Sequence, residues 1–187
     1  QQMRKHTHRS VVSCLLLAGF SVLRSAASLA SGRDPGTYFF DQTFGDFPEE
    51  LSNAREQGKR GILIMFEMDE CPFCHRMKRN VLNRGDVQDY FHEHFLVFSV
   101  DTEGDLEITD FQGNPTTQKD FALKQFRVRA TPVFQFIGLD GKPVKRGRYT
   151  GATRDAEEFL WLGEYVVGGH YAETSFTKYK SGRRAAR

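Results

Sequence analysis

Gly61-Ile62-Leu63-Ile64-Met65-Phe66-Glu67-Met68-Asp69-Glu70-Cys71-Pro72-Phe73-Cys74-His75 is the stretch on which the fold turns. Its first eight residues are almost wholly apolar, as expected of a strand buried on both faces. Cys71-Pro72 then opens a helical stretch through Val81-Leu82, with Pro72 at the first helical position, where a missing N–H costs nothing. Two cysteines three apart, after a buried strand and in the first turn of a helix, suit reversible dithiol chemistry. Cys71 falls at the helix cap, where unpaired N–H groups and the helix dipole stabilise a thiolate, so it is the expected attacking sulfur. Cys74, one turn further in, would resolve the mixed disulfide. His75, Arg76, Lys78 and Arg79 add positive charge and read as a solvated helix face.

Outward from this centre, helix and strand alternate. Upstream, Asp46, Pro48 and Gly58 bracket a helix, and residues 31–45 read as an irregular N-terminal arm. Downstream, Arg84-Gly85 breaks the helix opened by Cys71-Pro72 before Val87–His94, and a buried strand Phe95–Val100 and an acidic loop over 101–115 follow. Thr117-x-x-Asp120 resembles a capping box opening a helix to Phe126. Pro132–Leu139, the Asp140-Gly141 turn and Val144–Tyr149 read as a hairpin, and Arg154–Val167 as a closing helix. The order α-β-α-β-α-β-β-α predicts an α/β fold: a central mixed β-sheet flanked by helices on both faces, with an insertion before the strand that Pro132 begins. X-Pro bonds are where cis peptides occur, and a cis Pro132 facing Cys71 would free the Thr131 backbone to pair with an extended substrate segment; an ordinary trans Pro starting a strand is the alternative.

The chain has 187 residues, 39% of them apolar, and 17 are Phe, enough to build one domain core. This composition excludes a disordered polyelectrolyte, a collagen and a disulfide-dense miniprotein. The N-terminus has the three parts of an export signal: basic Met3–Arg9, an apolar run Val11–Leu23, and small residues up to Ala30. That run has 13 residues, against the roughly 20 that span a bilayer. Cleavage after Ala30 would remove Cys14 and leave Cys71 and Cys74 as the only pair. It would also remove Arg4, Lys5, Arg9 and Arg24; taking these four from 26 basic residues leaves 22 against 24 acidic ones, a net of −2. The excess positive charge therefore does not point to nucleic acid, and no stable membrane insertion is expected after cleavage. The expected organisation is a signal peptide over 1–30, the arm over 31–45, one domain over 46–168 and a basic C-terminal tail over 169–187, in which Tyr171, Phe176 and Tyr179 could dock on the domain.

Other chemistries compete for the cysteines. A structural disulfide closing so short a loop restrains little of the unfolded chain. Structural zinc needs two more ligands; His92 and His94 could be offered, but there is no second cysteine pair, and no metal site is expected. Cys71-x-x-Cys74-His75 is also the attachment pattern of a c-type haem, although a strand feeding the motif and further strands after it do not suit a small helical cytochrome. The acidic residues Asp101, Glu103, Asp105, Glu107 and Asp110 suggest calcium but miss the EF-hand spacing, because Gly104 precedes the third acid.

Strand, Cys-x-x-Cys opening a helix, Thr131-Pro132 before a hairpin and Gly151-Ala152 before a last helix together resemble the thioredoxin superfamily over residues 46–168. Met65-Phe66-Glu67 ahead of Cys-Pro-Phe-Cys, the Asp101–Pro115 insertion and the tail Tyr165–Tyr171 through Phe176–Tyr179 look most like the periplasmic thioredoxins of bacterial sulfur-oxidation systems, the SoxW type. The resemblance implies Cys71 as nucleophile, Cys74 as resolving thiol, a redox-active Cys71–Cys74 disulfide in place of any cofactor, and Pro132 as the cis-proline. Thr131, Pro72 and Phe73 would contact substrate. Two departures matter: Glu70 stands where cytoplasmic thioredoxins carry Trp, and Met65 where they bury an Asp that accepts the resolving thiol's proton. Strand alternation puts Glu67 on the face of Met65 and one step nearer the dithiol, so partly buried Glu67 is the candidate substitute base, an exposed carboxylate at a strand end being the alternative.

The expectation is an exported, periplasmic thiol–disulfide oxidoreductase that reduces disulfides in partner proteins and draws electrons from a membrane thiol carrier. An oxidase or isomerase of the same fold, a c-type haem protein, and a non-enzymatic binding module using the acidic insertion are the other readings.

Overall fold

The computed structural model describes residues 32–186, so the expected signal peptide lies outside the described residues. Along the chain run α1 (Pro35–Tyr38), α2 (Phe47–Glu56), β1 (Gly61–Glu67), α3 (Pro72–Asn80), α4 (Gly85–His94), β2 (Phe95–Asp101), β3 (Glu107–Thr109) and β4 (Pro115–Thr117). Then come α5 (Gln118–Asp120), which continues as a π-helical turn Phe121–Gln125, β5 (Val133–Gly138), β6 (Pro143–Thr150), α6 (Ala156–Val167), a 3-10 turn His170–Ala172 and α7 (Phe176–Ala185).

The main sheet has the order β2-β1-β5-β6. β1 is parallel to β2 and antiparallel to β5, which pairs antiparallel with β6. β1 is apolar on both faces because each face meets a separate layer. Leu63 and Met65 pack with Met77, Phe91, Phe159 and Leu162 from α3, α4 and α6. Ile62, Ile64 and Phe66 pack with Phe47 and Leu51 of α2 and with Phe121 and Phe126 on the other side. The molecule is therefore a mixed α/β fold with a central mixed sheet flanked by helices. Among the described residues no helix is long and apolar enough to cross a membrane.

Local chemistry sets the element ends. Asp46 Oδ1 accepts the Glu49 N–H at 3.1 Å to cap α2, and Thr117 Oγ1 accepts the Asp120 N–H at 3.2 Å to cap α5. The arm is less irregular than its Gly and Pro content suggested. It forms one helical turn, buries Phe39 completely, and covers the free edge of β2 through a reciprocal pair: the Asp41 N–H donates to the Val97 carbonyl and the Val97 N–H to Asp41 Oδ2, both at 2.7 Å.

The acidic stretch 101–115 is likewise not a plain loop, because β3 and β4 pair antiparallel within and beside it. Its organiser is Asp110, which is 3% exposed and accepts N–H groups from Gln112, Asn114 and Gln125 at 2.8–2.9 Å. Burial opposes the charge of Asp110, but the hydrogen bonds from Asn114, Gln112 and Gln125 outweigh it and hold the carboxyl below its ordinary range. The tail carries α7, which returns to the domain with Phe176 buried beside Tyr165.

Candidate active site

Cys71 is the N-cap residue of α3, in extended backbone, and Pro72 follows inside the first turn. The Cys74 N–H donates to Cys71 Sγ at 3.1 Å, and the His75 N–H donates to the Cys71 carbonyl at 3.0 Å. The second is the first regular bond of the helix, whereas the first satisfies an N–H that the helix start leaves without an intrahelical partner. The two sulfurs form a disulfide across a Cα–Cα distance of 5.2 Å. Both cysteines are buried in the cluster that contains Met65 and Met77, while Pro72 is exposed and Phe73 keeps 59% of its surface in solvent.

Sheet register brings the other predicted residues to this end. Phe66 stands opposite Val133 as the last rung of the antiparallel β1–β5 pair, so the next residues of the two strands, Glu67 and Pro132, lie at the same end of the sheet. The Thr131–Pro132 peptide is cis. The Pro132 carbonyl accepts the Gly151 N–H at 2.8 Å, whereas the Thr131 backbone has no hydrogen-bond partner among the described residues.

Glu67 lies on the Met65 face, but it is not a carboxylate loose at a strand end. Its side chain is 13% exposed; it pairs with Lys78 Nζ at 2.6 Å and accepts a hydrogen bond from the Ser99 hydroxyl. Lys78 therefore does not belong to a merely solvated helix face, as the sequence suggested. Arg76 is also engaged, donating from Nη2 to the Thr153 carbonyl at 2.9 Å, and Thr153 Oγ1 lies 3.6 Å from Met77 Sδ. Lys78 and Ser99 are the site residues the sequence reading missed. One signal for Lys78 was available: it lies four residues after Cys74, on the same side of α3.

The remaining candidate ligands are turned to other partners. A His75 ring nitrogen lies 2.8 Å from the Asp69 carbonyl oxygen. His92 Nε2 lies 3.0 Å from the Tyr38 carbonyl, and the His94 ring packs edge-on against Tyr90. Asp101 Oδ1 accepts the Glu103 N–H at 2.9 Å, and Asp110 is occupied as described. Among the described residues no three His, Cys, Asp or Glu side chains converge to hold a metal ion.

The model of the thioredoxin-like domain family matches residues 47–167. Among solved structures, a thioredoxin-fold protein from Helicobacter pylori superposes with a TM-score of 0.55 at 20% identity, covering 70% of this chain and 88% of that one. A thioredoxin from Thermus thermophilus superposes with a TM-score of 0.51 at 27% identity, covering 65% of this chain and 84% of that one. No curated protein gives a significant match.

Proposed function

The chain belongs to the thioredoxin-like domain family and, with its cysteine pair at disulfide distance, is a disulfide oxidoreductase; from this we propose that it is an exported, periplasmic reductant of disulfides in partner proteins, of the SoxW type. The observation that carries the chemistry is the Cys74 N–H directed at Cys71 Sγ from the first turn of α3. In the reduced protein the same N–H and the helix dipole favour the Cys71 thiolate over the thiol.

The thiolate attacks one sulfur of the partner's disulfide. A Cys71–partner bond forms, the partner's S–S bond breaks, and its second sulfur leaves as a thiolate that takes a proton. Cys74, one turn into the helix, then loses its proton and attacks Cys71 Sγ, releasing the partner's remaining sulfur. Two electrons and two protons pass to the partner, and the chain is left with its own disulfide. Electrons for the next cycle come from a membrane thiol carrier. Glu67 is the candidate acceptor of the Cys74 proton, held in place by Lys78 and Ser99. Thr131, with its free backbone, and exposed Pro72 and Phe73 form the surface that meets the partner.

Direction and compartment rest on the SoxW resemblance: Met65-Phe66-Glu67 before Cys-Pro-Phe-Cys, the 101–115 insertion, the tail, and a leader over residues 1–30 that leaves the mature domain with one cysteine pair. The turning of His75 towards the Asp69 carbonyl favours the dithiol over haem attachment.

Insulin reduction driven by dithiothreitol tests the reading. The wild-type chain accelerates it and Cys71→Ser does not; equal rates would overturn the catalytic assignment. The potential of the Cys71/Cys74 couple tests direction: about −270 mV is expected for a reductant, and about −120 mV would make the chain an oxidant.

A further inference from the structure

The carboxyl ends of β1 and β2 and the entry to β5 line a cavity of about 460 Å³. Met68 and Thr131 both line it, so it adjoins the loop that leads to Cys71 and the one that holds Pro132. Its apolar lining is Met68, Leu123 and Val128; its charged lining is Glu103 from the insertion, Lys119 from α5, and Arg129. Glu103, Lys119 and Arg129 are exposed. Their side chains make no ion pair or hydrogen bond among the described residues, although nearby Lys124 is paired with Asp120 at 2.7 Å. A concave surface with an apolar floor thus opens beside the residues that precede Pro132, with two free cations and one free anion on its walls.

We propose that this cavity is a sequence-reading subsite of the reductase, a reading that rests on the proposed function. It takes the extended segment flanking the partner's disulfide, with an apolar side chain on Met68, Leu123 and Val128 and an acidic side chain at Lys119 and Arg129. The partners it selects carry acidic rather than basic residues beside the reactive cysteine. Because neither cysteine lines the cavity, selection acts through binding: it changes KM and leaves the chemical step alone.

The test uses the mature chain, reduced beforehand and followed through a single turnover, and two cysteine peptides, identical but for two Glu or two Lys beside the cysteine, each blocked as a mixed disulfide with thionitrobenzoate. Thiol attack releases the coloured thiolate and leaves the peptide on Cys71 until Cys74 displaces it. Wild type favours the acidic peptide in kcat/KM by about tenfold at low ionic strength, mostly through KM, and salt diminishes the preference. Lys119→Glu/Arg129→Glu reverses it, and Lys119→Gln/Arg129→Gln abolishes it. Both variants reduce an uncharged symmetrical small-molecule disulfide, dithiodipyridine, at the wild-type rate. A wild-type chain without preference, or variants that retain it, would overturn the subsite while leaving the redox reading intact. A wild-type chain that reduces neither the peptides nor the small disulfide would overturn both.

Discussion

Replacing Lys180 and Arg184 together by Met strips the partners from a buried carboxylate. Glu158 of α6 has a side chain 3% exposed; Lys180 Nζ lies 2.7 Å from Oε1 and Arg184 Nη2 lies 2.6 Å from Oε2. The remaining donor is the Tyr149 hydroxyl, at 3.2 Å from Oε1. A buried charge that loses its counter-charge costs about 3–5 kcal/mol. That penalty has an upper bound, because both cations sit on α7, and undocking this helix returns Glu158 to water. What opposes undocking is the burial of Phe176, worth about 1.5–3 kcal/mol, the hydrogen bond from the Tyr165 hydroxyl to the Thr174 carbonyl at 2.7 Å, and the half-exposed ion pair of Arg183 with Glu164, worth under about 1 kcal/mol. The two quantities are comparable, so the double variant should release α7 while the rest of the domain stays folded.

The reporter is built in. Trp161, the only tryptophan, is 3% exposed and lies under the Arg183 guanidinium of α7, 5.5 Å from its ring. Release shifts its emission to longer wavelength and speeds amide exchange across α7. If the domain melts as a unit instead, a loss of about 3 kcal/mol lowers Tm by about 6–12 °C. Each single variant keeps one cation on Glu158 and costs about 1–2 kcal/mol, less for Arg184, whose side chain is 39% exposed, so the double variant must exceed the sum of the singles. Additive effects totalling under about 1 kcal/mol, with unchanged emission, would refute the reasoning.

Asp110→Ala removes the acceptor that organises β3 and β4 and should cost about 1–3 kcal/mol in urea unfolding, with faster amide exchange over residues 101–117. Because the folded carboxyl lies below the ordinary aspartate value of 3.8, its contribution is complete above that pH and is lost as pH falls through the folded value; wild type and variant should therefore converge in stability at strongly acid pH, and a gap that widens there would contradict the assignment. A Cβ at Gly61 would stand 2.1 Å from the Ile137 carbonyl oxygen, whereas one at Gly58 meets nothing within 4 Å. Gly61→Ala should therefore cost about 3 kcal/mol or more by opening the β1–β5 seam, and Gly58→Ala about 1 kcal/mol; equal losses of Tm would show that the seam yields.

The sequence carried the strand before Cys71, the helix after it and the alternation of elements, because each of these depends on neighbours in the chain: a run apolar on both faces, a proline in the first turn, a cap three residues from its partner N–H. Cys71 at the cap of α3 follows from such local rules, and so does the capping of α2 by Asp46. The short strands β3 and β4 escaped notice because each has three residues and their acidic, Gly-containing surroundings read as loop; what holds them is Asp110 gathering N–H groups from up to fifteen residues away.

The chain by itself determined a buried strand that delivers two cysteines to a helix start, since backbone donors and local hydrophobic pattern suffice for that. Tertiary structure decided what surrounds them. Lys78 and Ser99 meet at Glu67, the Thr131–Pro132 peptide is cis, and Glu158 fastens α7. Side chains 11 to 32 residues apart in the chain are brought together by sheet register and helix packing, and their pairing leaves no periodic mark in the sequence.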